Sequence, residues 1–303
     1  MFKKVLFINL SFSILLISNP INYINSIRAN CGLTPLSLDK KLSLAAKKHS
    51  IYVNKTKEYS HYENQGSIYY FASTPWNRIV KAGYKTKVVV ENITFAERSY
   101  KESIDKLMAT VYHRLAFLYN QIDRIGYARS GSIFVYDMSN SKIATLCNKH
   151  YKNAPSIIDR VCPNSSDIIP ANLFNKEINR LKRASKDIIV YPYSNQNSVP
   201  LEGVEETPKF LYESFGHPIT ATFNSAYYKN IQLVSFKLYK NGIEVPVKMV
   251  SSNNDINNKI RRGTYVLVPL NKLKRDSRYK VVLKANLNGK VKTKKWYFTT
   301  ASN

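Results

Sequence analysis

Apolar residues recur at helical spacing through the first half of the chain and at strand spacing through the last third. Ile21, Ile24 and Ile27 predict a helix that Gly32 can end. Asp39 can cap a second helix whose inner face carries Leu42, Ala45, Ala46, His49 and Val53. Asn54 to Gly66 is polar and irregular, and it holds His61 and Glu63. Thr74-Pro75 reads as a cap and first-turn proline ahead of a short helix closed by Gly83. Val88–Ile93 is β-branched and reads as a strand with Glu91 inside it. Ser99 and Glu102 have capping-box spacing ahead of Ile104, Leu107 and Met108, and His113 to Leu118 suits a further short helix. Ile122–Ala128, Ser132–Tyr136 and Lys142–Cys147 read as strands. Helices followed by strands predict an α+β unit, a small antiparallel sheet covered by helices.

The pattern then changes. Residues 150–200 contain Pro155, Pro163, Pro170 and Pro192 and read as a connector, with a basic amphipathic helix over Asn172–Ser185. Beyond it, Ile231–Lys240 and Ile243–Val250 flank Asn241-Gly242, and Tyr279–Leu287 and Val291–Thr299 flank Asn288-Gly289. Both dipeptides are strong hairpin signals. With Thr264–Leu270 as a further strand, 201–303 is expected to be an all-β sandwich. His217, isolated there, is expected at the surface or a strand edge.

At the N-terminus, Lys3 and Lys4 precede an apolar run from Val5 to Ile17, the pattern of a secretory signal peptide over 1–18. That run is short of the roughly 20 residues of a spanning helix, and nothing later is long and apolar enough to cross a bilayer. The expected mature chain, from Asn19, is exported to the periplasm or the outside of the cell. Cys147 and Cys162 are close enough to close a short loop in an oxidising compartment, leaving Cys31 over; three free thiols are the alternative.

Composition adds a strong basic excess: 46 Lys+Arg against 20 Asp+Glu, a net charge of +26. The excess is spread, with 26 basic and 13 acidic residues over 19–195 and 18 basic and 7 acidic after that. There is no zinc-finger spacing, basic-zipper pattern or RNA-recognition motif, so no specific nucleic-acid partner is expected. An anionic lipid or envelope surface is the more natural partner for such a charge.

In order along 21–147, the chain carries Asn25-Ser26-Ile27-Arg28, Gly32-Leu33, Pro35-Leu36, Asp39, Leu44-Ala45-Ala46, His49-Ser50, Ser60-His61-Tyr62-Glu63, Arg78, Gly83-Tyr84, Glu91-Asn92-Ile93, His113-Arg114 and Ile125-Gly126-Tyr127. In this order and spacing, residues 19–149 resemble the bacterial members of the CAP superfamily, the cysteine-rich secretory, antigen 5 and pathogenesis-related 1 proteins, or SCP domains. The resemblance implies an α-β-α sandwich with His61, Glu91 and His113 facing one shallow groove. Two departures stand out: Glu102 lies early in its helix, where relatives carry a second groove glutamate, and the cysteines of eukaryotic relatives are missing. The C-terminal part resembles a bacterial immunoglobulin-like module more loosely, through Leu270, Ser277, Tyr279 and Trp296-Tyr297-Phe298-Thr299-Thr300.

The groove residues expected to bind ligand are His61, Glu63, Glu91 and His113. Two histidines and a carboxylate suit a divalent transition metal such as zinc, with His61 and His113 as its ligands, although no cofactor is required. Glu63 either joins the site or orients His61, or is simply solvated. Each residue also has an ordinary structural reading: His61 bonding loop backbone, Glu91 bonding a backbone amide, His113 bonding its own loop, His49 satisfied in the core. Tyr69, Tyr70, Phe71 and Trp76 read as core packing rather than a stacking platform. There is no Gly-X-Ser-X-Gly elbow and no cysteine in a motif with histidine, so no catalytic residue is assigned. The expected function is non-enzymatic binding of a lipid or a divalent metal. The alternatives are a metal-dependent hydrolase acting on peptide or cell wall, and an adhesin-like structural protein.

Overall fold

The computed structural model describes residues 19–149, 151, 153–211 and 215–302. The expected signal peptide, 1–18, lies outside them. Helix α1 (Pro20–Cys31) ends at Gly32, whose φ of 78° supplies the left-handed cap. After β1 (Ser37–Leu38), the Asp39 carboxylate accepts the N–H groups of Lys41 and Leu42 and starts α2 (Lys40–Thr56). Thr74 caps α3 (Pro75–Lys81). Then come β2 (Val89–Thr94), α4 (Tyr100–Ala109), α5 (Tyr112–Phe117), β3 (Arg124–Ser130) and β4 (Ile133–Ser139).

The first sheet has the order β1-β3-β4-β2, with β1 parallel to β3 and the other pairs antiparallel. Alternation along β4 divides the core in two. Ile133 and Val135 meet Ala46, Tyr52 and Val53 of α2, while Phe134, Tyr136 and Met138 meet α1, α4 and α5. Gly126 lets α2 lie close on β3, because a Cβ there would sit 2.1 Å from the Leu42 carbonyl carbon.

Segment Lys142–Cys147, expected as a strand, is helix α6 (Ser141–Cys147). The Asn140 side chain accepts the N–H groups of Lys142 and Ile143, and Ile143, Ala144 and Cys147 are buried at helical spacing. Cys147 is bonded to Cys162, with Cα atoms 5.3 Å apart, and Cys31 is free and buried.

The stretch expected as a connector is largely structured. It holds β5 (Ile157–Ile158), β6 (Ile169–Pro170), α7 (Ala171–Arg183), β7 (Ile188–Tyr191) and β8 (Gln196–Val199). The remaining strands are β9 (Ile219–Phe223), β10 (Ile231–Lys240), β11 (Ile243–Glu244), β12 (Val247–Ser251), β13 (Thr264–Pro269), β14 (Arg278–Leu287) and β15 (Lys290–Thr300). They form sheets ordered β11-β10-β14-β15-β8 and β12-β13-β9-β7, so β7 and β8 extend the C-terminal β-structure back before residue 201. Side chains of both sheets share one core around Trp296, Phe298, Phe236 and Ile219. The run Ile243–Val250 is two strands rather than one: it breaks at Val245-Pro246 and passes from one sheet to the other. His217 is fully buried and not at the surface, because the Arg114 guanidinium crosses from the first unit to its ring, 3.0 Å from Nε2.

Candidate functional site

Five elements converge on a buried charged cluster. Helix α2 supplies His49 from its inner face, and the 57–74 loop supplies His61 and Glu63. Arg78 comes from α3, Glu91 from β2 and Asp137 from β4. Arg78 is the hub. Its Nη2 donates to both Glu91 oxygens, at 2.9 and 2.7 Å, and to the His61 carbonyl, while its Nη1 lies 3.7 Å from Glu63. His61 Nδ1 stands 2.7 Å from Glu91 Oε1. The side chains of Arg78 and Glu91 are 0% and 2% exposed, whereas that of His61 is 37% exposed.

Glu63 does not orient His61, nor is it solvated. It is buried, 2.9 Å from His49 Nδ1, and accepts the N–H groups of Phe71 and Ala72. The loop that presents His61 is therefore pinned from inside by Glu63. His49, a core residue as expected, is the partner that Glu63 holds.

Burial works to raise the Glu91 carboxyl, but the Arg78 guanidinium beside it, with His49 and His61, holds it well below the ordinary carboxylate range. Asp137, directly opposite on β4, goes the other way. Burial and the Glu91 charge push it well above its ordinary value, so Asp137 keeps a proton where an exposed aspartate would lose it.

His113 is not part of this cluster. Alternation along β2 sends Glu91 to the α2 face and Asn92 to the α5 face, where its amide donates to the His113 carbonyl. The His113 ring faces Thr110 Oγ1 at 3.2 Å and Glu206 Oε2 at 3.1 Å. Glu206 also accepts the N–H groups of Val111 and Tyr112 at the start of α5. Glu102 stays at the start of α4, bonded to Arg98.

A metal does not fit these residues well. Among the described residues, no group of three or more His, Cys, Asp or Glu side chains is placed to hold an ion. Glu91 is taken by Arg78 and His61, Glu63 by His49 and two amides, and His113 by Glu206.

Among the polar side chains this region turns to solvent, such as Lys57, Asn64, Gln65 and Asn77, it also exposes large apolar ones. Tyr59 and Tyr62 are each 59% exposed, Ile68 is 89%, Tyr69 39% and Trp76 40%. All five lie on the loop around His61 or the first turn of α3. Tyr69 and Trp76 are thus not the core packing expected of them, while Tyr70 and Phe71 are half-buried beneath Lys81. Arg78 stood in the sequence without a role, Asp137 lay one residue past the strand expected over Ser132–Tyr136, and nothing local marked Glu206.

The family model for CAP, the cysteine-rich secretory protein family, matches residues 21–148. No curated protein sequence matches the chain. A solved extracellular protein containing an SCP domain, from Bacillus anthracis, is similar at 17% identity and a TM-score of 0.37. The match covers 40% of this chain and 39% of that one, so the chain spans about two fifths of that protein's length. Residues 21–148 form a CAP domain and belong to the cysteine-rich secretory protein family.

Proposed function

We propose that this protein is an exported, non-enzymatic binder of an apolar or amphipathic ligand of the lipid class. The ligand would be taken up at the loop that presents His61, without a resident metal. One observation carries the reading: the acidic groups around His61 are spent on internal partners, while the same segment exposes Tyr59, Tyr62, Ile68, Tyr69 and Trp76. Aromatic and aliphatic side chains left in water beside one oriented imidazole suit a ligand with an apolar body and a polar head. Export is supported by the basic-then-apolar N-terminal sequence and by the Cys147–Cys162 bond, which persists in oxidising compartments. Among the described residues, no helix is long and apolar enough to cross a membrane. The C-terminal sheets would serve as an immunoglobulin-like interaction module, and the basic excess of the chain from Asn19 onward would favour an anionic envelope surface.

The test is solvent extraction of the purified chain with mass spectrometry of the extract, together with co-flotation on phosphatidylcholine vesicles. The reading predicts lipid in the extract, flotation unaffected by chelator, and loss of both in Ile68→Ser/Trp76→Ser. An empty extract with no flotation, or binding that needs added zinc, would overturn it.

A further inference from the structure

A cavity of ≈ 200 Å³ lies where the CAP domain meets the C-terminal sheets, away from His61. The end of α5 and the turn after it form one wall, and the last turn of α7 and the 259–264 loop form the other. Among the described residues, four cationic side chains line it, Lys182, Lys259, Arg261 and Arg262, and no acidic one does. Among the described residues none of the four is paired with a carboxylate; the exposed Lys and Arg ion pairs lie elsewhere. Burial, then Lys229 and Arg261, lower the Lys182 ammonium below its ordinary value, so like charges crowd this wall.

The α5 side contributes Leu115, Leu118 and Tyr119, with Asn120 and Gln121 in the turn after them, and Phe223 lies beyond. Arg261 lies over the Tyr119 ring, 3.6 Å from its centre, which orients the guanidinium. The junction is tied independently of any ligand. Glu206 holds the start of α5, the Tyr112 hydroxyl donates to Asp255, and the Asn257 amide donates to Tyr112. The cavity is therefore preformed, as small-molecule sites at domain junctions usually are.

We infer that this junction cavity is a second binding site, for an oxyanion of the phosphate class carrying a small apolar group. Cations without a carboxylate partner beside a set of apolar side chains are complementary to that ligand: Lys182, Arg261 and Arg262 meet the charged head, and Leu115, Leu118 and Tyr119 meet the body. The site is independent of the binding proposed at the His61 loop.

The experiment is calorimetric titration of the chain with phenyl phosphate at fixed ionic strength, repeated with two double variants. Lys182→Gln/Arg261→Gln removes two cations from the cavity. Lys248→Gln/Lys284→Gln removes two from exposed positions elsewhere. The site predicts saturable binding, weakened about tenfold or more in the cavity variant and nearly unchanged in the control. Circular dichroism confirms that both variants are folded, and Arg261→Gln alone gives an intermediate loss should the double variant fail to fold. Competition by inorganic phosphate would assign a free oxyanion, and competition only by vesicles containing phosphatidic acid would assign a lipid head group. No saturable binding, or equal weakening in both double variants, would overturn the inference.

Discussion

Replacing Arg78 with Met removes the hub of the buried cluster while keeping much of its volume. Glu91 then loses a guanidinium that donates to both its oxygens, at 2.9 and 2.7 Å, in a site where the two side chains are 0% and 2% exposed. At about 4 Å between charge centres and an effective dielectric of about 20, the lost attraction is about 4 kcal/mol. Breaking one half of a buried ion pair costs about 3–5 kcal/mol, which agrees. In the parent, the depressed Glu91 carboxyl contributes stability that is present above its unfolded value and lost as pH falls through the lower folded value. In Arg78→Met only His49 and His61 are left to oppose burial, so the carboxyl rises from its parent position and that contribution shrinks. Urea denaturation at acid and neutral pH measures both effects. The expected gap is about 4 kcal/mol at neutral pH, narrowing on acidification, and Arg78→Met/Glu91→Gln should recover about 2 kcal/mol of it. A neutral-pH loss below about 1 kcal/mol, or a gap that widens in acid, would refute the assigned role of Arg78.

Two further substitutions test neighbouring parts of the structure. Asp137 has a raised carboxyl, so its contribution is fully present below its unfolded value and lost as pH rises through the folded one. Asp137→Asn has no proton to lose there, and its melting temperature relative to the parent should climb with pH; a difference flat across pH would contradict the protonated assignment. Glu206→Ala leaves the N–H groups of Val111 and Tyr112 without their acceptor and the His113 ring without its carboxylate. It should cost about 1–3 kcal/mol and speed limited proteolysis at the domain junction, where unchanged cleavage would show that Glu206 does not tie the two parts together.

Much of the fold was legible because its signals are local. Asp39, Thr74 and Ser99 each sit one residue before a helix and bond its first turn, and the two Asn-Gly dipeptides do mark hairpins. The misread elements are those where local signals compete or partners are distant. Lys142–Cys147 is apolar enough for either state, and the Asn140 cap decides for helix. The proline-bearing stretch hid β7 and β8 because their partners, β9 and β15, come later in sequence. In the site, His61 and Glu91 are brought together, but one step of strand alternation gives Asn92, not Glu91, to the α5 side. Glu206 lies 93 residues from the histidine it faces, a pairing no spacing rule reaches.

The central claim is that the exposed apolar side chains around His61 take up a lipid-class ligand. Iodide quenching of tryptophan fluorescence tests it most directly, because Trp76 is 40% exposed and Trp296 only 1%. Free protein should show one quenchable and one protected tryptophan. Adding phosphatidylcholine vesicles should protect Trp76, saturably and regardless of chelator, and Ile68→Ser should weaken the protection. Quenching of Trp76 that stays the same at every vesicle concentration would contradict the account.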